Sequence, residues 1–448
     1  MRTPYAIASP WLYLATAAWV ASIPNAVTLA HFVASHAAGH GAHAAAFVLG
    51  GWLFVLTITF GLMFAVAPVA RGRMARVVCV IVLVSAAAVS YFTTFLGTLV
   101  DKSMVMNVAQ THAAEALELV NIRLVAWILG AGVLPAVIAW RWPLTAPPRL
   151  RVAATGGALL VALLGATGAL VYGQYSHYAS AARNREITFA TVAPVNFLGG
   201  AIHYAVGEAA AHTHRAPRGL DAHQAYAIPE PRLLLLVIGE TARAANHGLN
   251  GYARDTTPRM RAAGGYYFPD TESCGTATAI SVPCIFSGLT RPEFSLLKGR
   301  QNETLIDVVK RSGARVIWLD NDSGCKDVCS AAEYTDLTGR RDPRFCPEPA
   351  ECRDAILLDG LERRLAASTG DTLVVLHLKG SHGPAYFKRY PPEFERFTPV
   401  CRTSDISACG IEELVNAYDN SILYTDYVVG ESIDMLKRLA PRYAAALL

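Results

Sequence analysis

The chain has 448 residues, 17% of them charged and 53% hydrophobic, which excludes a single ordinary soluble globule. Residues 1–180 hold 9 Lys+Arg and 3 Asp+Glu whereas the rest hold 30 and 32, so a lipid-like part precedes a water-like one. The net charge of +4 divides into +6 and −2 over these parts, leaving no basic face for nucleic acid.

Five uncharged apolar runs, Trp11–Leu29, Ala44–Ala70, Val77–Val100, Leu124–Trp140 and Val152–Tyr172, each approach the roughly 20 residues that a helix needs to cross a bilayer. The first lacks the basic n-region of a secretory signal beyond Arg2 and reads as an uncleaved span. Pro24, Pro68 and Pro135 fall inside these runs, where a neighbouring helix can satisfy the carbonyls that proline frees. Short loops carrying Arg71, Arg73 and Arg76, and Arg141, Arg149 and Arg151, belong on the cytoplasmic side. The loop 31–43 has no Lys or Arg and the loop 101–121 only Lys102, so everything after Tyr172 is expected outside the cytoplasm.

Cysteine usage agrees with export. Eight of nine cysteines lie in the exported part, and neighbour pairing of Cys274 with Cys284, Cys325 with Cys329, Cys346 with Cys352, and Cys401 with Cys409 is the simplest framework for an oxidising periplasm. Their spacing lacks the regularity of a structural zinc site. Cys79 is alone inside the third span.

Residues 173–231 read as a membrane-surface helix and a Pro-containing linker. Beyond them, Leu233–Ile238, Arg315–Leu319 and Thr372–Leu378 are aliphatic runs suited to buried parallel strands. Helical patterns at Glu303–Arg311, Arg353–Ala367 and Ile411–Leu439 complete an α/β alternation. Ligands of such sheets bind beyond the carboxyl ends of the strands, which points to Glu240, to Asp320, Asn321 and Asp322, and to Ser381 and His382. A carboxylate there also serves as a helix cap or a solvated loop residue. The stretch Thr271–Gly288 offers Ser273, Thr276, Thr278 and Ser281 before an apolar helix, a place for a cap or for a nucleophile beside free N–H groups.

The stretches VIGETARAANHGLNGYARDTTP (237–258), SCGTATAISVPC (273–284), DNDSGCKDVC (320–329), GSHGPAYFKRYPPEF (380–394) and LVNAYDNSILYTDY (414–427) carry a resemblance. The chain resembles the bacterial phosphoethanolamine transferases that modify lipid A, members of the alkaline phosphatase and sulfatase superfamily. That resemblance implies a transmembrane domain of five helices over 1–172 with a periplasmic loop helix at 101–121, a bridging segment over 173–231, and a sulfatase-like α/β domain over 232–448. It implies Thr278 as the nucleophile that becomes a phosphoethanolamine ester, and Glu240 and Thr278 as ligands of a catalytic Zn2+. His382 matches a histidine that holds the phosphate or leaving group, and Ser323 and Lys326 match positions near the donor headgroup. Asn107, Thr111 and Glu115, spaced i, i+4, i+8, would share one helix face toward the lipid, with Glu115 pairing the ethanolamine ammonium.

The implied reaction moves phosphoethanolamine from phosphatidylethanolamine to lipid A at the inner membrane, lowering attraction for cationic peptides such as polymyxins. In the family a further strand delivers an Asp-His-Gly-Glu motif with the remaining zinc ligands, and no such tetrapeptide occurs here. The resemblance therefore predicts a C-terminally truncated, incomplete α/β domain with only Glu240 and Thr278 for the metal, and no transfer by residues 1–448. Alternatives are transfer to a core sugar or glucan, and a non-catalytic remnant that binds phospholipid headgroups through Asn107, Thr111, Glu115 and Lys326. A sulfatase is disfavoured because Thr278 stands in place of its modified cysteine.

Overall fold

The structure, a computed structural model, describes the chain apart from residues 1–6, 31–40, 69, 71, 99, 112, 146, 184–191, 212–214, 225–229 and 349–350, and apart from the side chains of 41–44, 113–115, 180–183, 210–211 and 407. It forms two compact units: residues 1–106 with 120–206, and residues 107–119 with 207–448.

In the first unit, Ala45–Ala65, Arg73–Leu96, Ile122–Arg141 and Arg149–Gly173 are helices long and apolar enough to cross a membrane. The first expected span does not join them as one rod. Its helix covers Ser9–Ser22, residues 23–25 turn around Pro24, and helix resumes at 26–30. Asn25 pins that break: its Nδ2 donates to the Val20 and Ala193 carbonyls, both at 2.8 Å, and its Oδ1 accepts from the Ala193 N–H at 2.9 Å. Four long spans are thus found among the described residues where five were expected. Pro135 supplies no N–H to the preceding turn, and the Ala131 carbonyl four residues back accepts instead from the Trp19 indole at 2.8 Å. Small residues let these helices approach closely: a Cβ at Gly132 would stand 2.9 Å from that of Ala87.

The second unit is built on a parallel sheet in the order β3-β2-β4-β1-β5. The strands are β1 (Arg232–Ile238), β2 (Arg315–Asp320), β3 (Glu333–Asp336), β4 (Thr372–His377) and β5 (Ala444–Leu447). The three expected aliphatic runs form its middle. On β4, alternate residues serve opposite faces: Val374 and Leu376 pack with Leu357, Leu361 and Met435, and Leu373 and Val375 with Ile306, Trp318 and Phe286. Both faces are covered, which is why β4 is buried at every position.

Leu305–Arg311 starts with a capping box between Thr304 and Asp307, and Ile411–Leu439 runs for 29 residues across the sheet. The long helix also buries Asp419, Asn420 and Asp426, which anchor loops: Asp426 accepts from the Arg259 and Met260 N–H groups at 2.8 Å, and Asn420 from those of Arg396 and Phe397. All four expected disulfides are present, and Cys79 is free and buried.

Candidate active site

The carboxyl edge of the sheet is assembled from the turns that follow β1, β2 and β4. Gly380, with φ +53°, lets the β4 turn lie against the β1 turn, since a Cβ there would come within 2.7 Å of the Glu240 carbonyl oxygen. The Ser381 N–H donates to that same carbonyl at 3.0 Å. Buried Asp354 braces the turn from below, accepting from the Lys379 and Gly380 N–H groups at 2.8 Å.

Thr278 is the first residue of the helix Thr278–Phe286, with Ala277 extended before it. Its hydroxyl donates to Glu240 Oε2 at 2.9 Å, while Glu240 Oε1 accepts from the Thr241 hydroxyl at 2.6 Å. The free N–H groups of such a first turn favour an anion beside the hydroxyl. The Cys274–Cys284 disulfide spans this turn.

Behind Glu240 lies a fully buried relay. Asp320 Oδ2 accepts from the Trp318 indole and from His377 Nδ1, both at 2.9 Å, and Asp320 Oδ1 accepts from the Asp322 and Gly324 N–H groups. Burial works to raise the Asp320 carboxyl, but the hydrogen bonds from His377, Trp318 and Gly324 hold it below its ordinary range. With Nδ1 committed to Asp320, His377 presents Nε2 to Asp322 Oδ2 at 3.7 Å, and this nitrogen is buried without a hydrogen-bond partner. Burial opposes a charge on this imidazole, yet Asp320, Asp322 and Glu240 raise its pKa, a field that favours any cation at Nε2.

One donor atom each from Glu240, Asp322 and His377 lies within 4.8 Å of the others. Bonds of roughly 2.1 Å around a tetrahedral zinc give donor separations of roughly 3.4 Å, so the group suits a divalent metal after small side-chain movements. The sequence offered only Glu240 and Thr278 as ligands, and the fold adds two candidate donors. His377 and Asp322 stand beside them, brought there by the β2–β4 pairing of Asp320 with His377. The sequence signal was a histidine inside the aliphatic run of β4, where a polar residue has to answer another polar group.

Asn107, Thr111, Ser323, Lys326 and His382 line one cleft of about 150 Å³ with Glu240 and Thr278. The Ser323 hydroxyl donates to Asp322 Oδ2 at 2.8 Å, and Lys326, at φ +53°, directs Nζ to the Ser323 carbonyl at 2.6 Å. His382 Nδ1 lies 2.8 Å from the Gly383 carbonyl oxygen. The side chain of Glu115 lies outside the described residues. The continuous helix expected through 107–115 is broken: Lys102–Gln110 ends before a bend at Thr111, whose hydroxyl caps the Asn107 carbonyl at 2.6 Å, and a second helix covers Ala113–Glu118. Asn107 and Thr111 still reach one cleft, which also includes Gln110.

The sulfatase family model matches residues 232–447, and the family model "Phosphoethanolamine transferase EptA/EptB" matches residues 58–209. Phosphoethanolamine transferase EptA of Escherichia coli K12 is 38% identical over 375 residues, covering 82% of this chain and 68% of the relative. The chain belongs to this family of phosphoethanolamine transferases in the alkaline phosphatase superfamily. Phosphatidylethanolamine transferase Mcr-1 of Escherichia coli is 34% identical, over 89% of this chain and 76% of its own. The solved integral membrane lipooligosaccharide phosphoethanolamine transferase A (EptA) from Neisseria meningitidis superposes with a TM-score of 0.91 at 33% identity, covering 99% of this chain and 82% of that one. As a member of this family, the chain is an inner-membrane protein whose disulfide-bonded sulfatase-like domain lies in the periplasm.

Proposed function

We propose that the protein takes phosphoethanolamine from phosphatidylethanolamine onto Thr278 and passes it to a phosphate of lipid A. The observation that carries this reading is the Thr278 hydroxyl at a helix N-terminus, 2.9 Å from Glu240 and in one cleft with Lys326 and His382. Thr278 Oγ1 forms a bond to phosphorus as the bond from phosphorus to the diacylglycerol oxygen breaks. Glu240 Oε2, which already accepts the hydroxyl hydrogen, receives the proton. Lys326 and the first helical N–H groups hold the phosphate oxygens, and His382 holds the leaving oxygen, which takes a proton from water as diacylglycerol departs. In the second half a lipid A phosphate oxygen attacks the Thr278 ester and the threonine recovers its proton.

The family implies zinc, and the donor set described above fits it. Glu240 and Thr278, with Asp322 and His377, would hold the ion, which when bound lowers the hydroxyl pKa and stabilises charge on phosphorus. Asp320 keeps His377 in the tautomer that leaves Nε2 free. The helical pieces Ser9–Ser22 and 26–30 form a fifth, kinked crossing. Each transfer adds an ammonium to lipid A and lowers its attraction for polymyxins.

Lipid A from cells making the protein, in a host without its own transferases, should gain phosphoethanolamine by mass spectrometry, and Thr278→Ala should remove the gain. Unmodified lipid A with the unaltered chain would refute the reading, and modification of core sugar alone would change the acceptor.

A further inference from the structure

The loop that carries Asn107, Gln110 and Thr111 into the cleft is held by a buried charge cluster that joins it to the turn after β4. Arg389 has its side chain 1% exposed and makes three contacts that join three separate segments. Its Nε donates to the His382 carbonyl at 2.6 Å, one terminal nitrogen pairs with Glu351 Oε1, and the other donates to Glu118 Oε2 at 2.9 Å. Glu118 ends the helix Ala113–Glu118, seven residues after Thr111, and Glu351 sits in the ring closed by Cys346 and Cys352. Both carboxylates are nearly buried, at 10% and 8% exposure. Lys379 lies 3.7 Å from Glu351 and Lys388 4.0 Å from Glu118. Burial lifts the Glu118 carboxyl above its ordinary range against the pull of Arg389, and for Glu351 burial is outweighed by Arg389 and Lys379, which hold it low.

We propose that Arg389 is a positioning residue that fixes the segment 107–119, and hence Asn107, Gln110 and Thr111, at the donor side of the cleft, in register with His382. The inference rests on the transfer reading for its kinetic consequence, but its structural part stands apart from it. A planar guanidinium can direct separate N–H groups at two carboxylates and a carbonyl at once, which a lysine ammonium on a flexible stem does less well. Without Arg389, two buried carboxylates face each other with only the more distant Lys379 and Lys388 to balance them. The cheapest relief is for the loop-borne Glu118 to move out to water, taking the loop with it. Thr278, Glu240 and His377 are held by the sheet and by one another, so the reacting atoms keep their places.

The test uses the full chain in nanodiscs containing phosphatidylethanolamine, comparing Arg389→Gln, Arg389→Lys and Glu118→Gln by amide hydrogen exchange. Exchange in peptides covering 107–119 should rise by about tenfold or more in Arg389→Gln and Glu118→Gln, and less in Arg389→Lys, with β1 and β4 unchanged. In Thr278 adduct formation the donor concentration for half-maximal rate should rise by about tenfold while the maximal rate changes less than about threefold. Unchanged exchange in 107–119 for Glu118→Gln overturns the proposal even if Arg389→Gln unfolds. A fall in maximal rate alone, with half-saturation fixed, assigns Arg389 to the chemistry and also overturns it. Absence of any adduct in the unaltered chain speaks against the Thr278 reading, and the exchange result then decides the clamp by itself.

Discussion

The membrane unit and the carboxyl edge of the sheet both bury polar side chains, and they use them in opposite ways. In the membrane unit several of these groups, none of them readily ionised, address backbone: Asn25 takes Val20 and Ala193, the Tyr13 hydroxyl donates to the Ala70 carbonyl at 2.8 Å, and the indoles of Trp19 and Trp127 donate to the Ala131 and Ala87 carbonyls. Each repairs a carbonyl that a helix break or a close packing leaves exposed to an apolar surrounding. At the sheet edge Asp354 also braces backbone, but titratable groups there face one another or the Thr278 hydroxyl: Thr278 with Glu240, Asp320 with His377, His377 with Asp322. A side chain whose capacity ends on backbone serves the fold, and a titratable side chain facing other titratable side chains is available for chemistry.

That contrast is broken most severely at Thr278. Thr278→Ala should reduce the covalent adduct, read by mass spectrometry of its peptide, below detection, while near-ultraviolet circular dichroism stays as before. Thr278→Ser should keep part of it because the oxygen survives. A full adduct in the alanine variant would move the nucleophile elsewhere. Next in size is His377→Gln, which removes the buried nitrogen donor and should lower bound zinc affinity by more than the 10- to 100-fold expected of the supporting Asp320→Asn. Elemental analysis after dialysis against graded chelator reads both. Equal retention by the two variants and the unaltered chain would remove His377 from the ligand set.

The membrane side is sharpened by Asn25→Ala. It strips the Ala193 N–H and carbonyl of their partner and should cost about 2–4 kcal/mol in a reversible unfolding assay, since two buried groups go unsatisfied. A change below about 0.5 kcal/mol would mean that lipid headgroups or water reach this break. Smallest is Glu333, whose carboxyl Arg315 and Arg364 hold down to about 2. A carboxylate lowered in the folded state contributes stability above its ordinary pKa near 4.5, and that contribution disappears as pH falls toward about 2. Because the side chain is 42% exposed, solvent screens the pair and Glu333→Gln should cost under about 1 kcal/mol at neutral pH, a cost that fades as pH falls through about 2.

Much of this was legible in the sequence because it is local. The three aliphatic runs became the middle strands, and each disulfide joins cysteines no more than 10 residues apart. Strand β3 was not legible, since Glu-Tyr-Thr-Asp is polar and lies at a sheet edge where no apolar face is demanded. The kink at 23–25 was hidden for a similar reason: hydropathy does not register Asn25 finding its partner 168 residues away. Thr278 and Glu240 could be named through family motifs, whereas His377 acquires meaning only when β4 is laid beside β2, and Arg389 only when Glu118, 271 residues earlier, folds onto it.

The four disulfides carry a consequence for where this molecule can mature. Thr278 lies inside the 274–284 ring, Lys326 inside 325–329 and Glu351 inside 346–352, so three side chains of the proposed transfer and clamp are each tethered at both ends by a sulfur bond of their own. The sheet contains no cysteine and can condense without them. A copy held in a reducing compartment would keep its sheet and leave these three loops without their bonds. Oxidation after export closes these three rings, a step open to the protein on only one side of the bilayer.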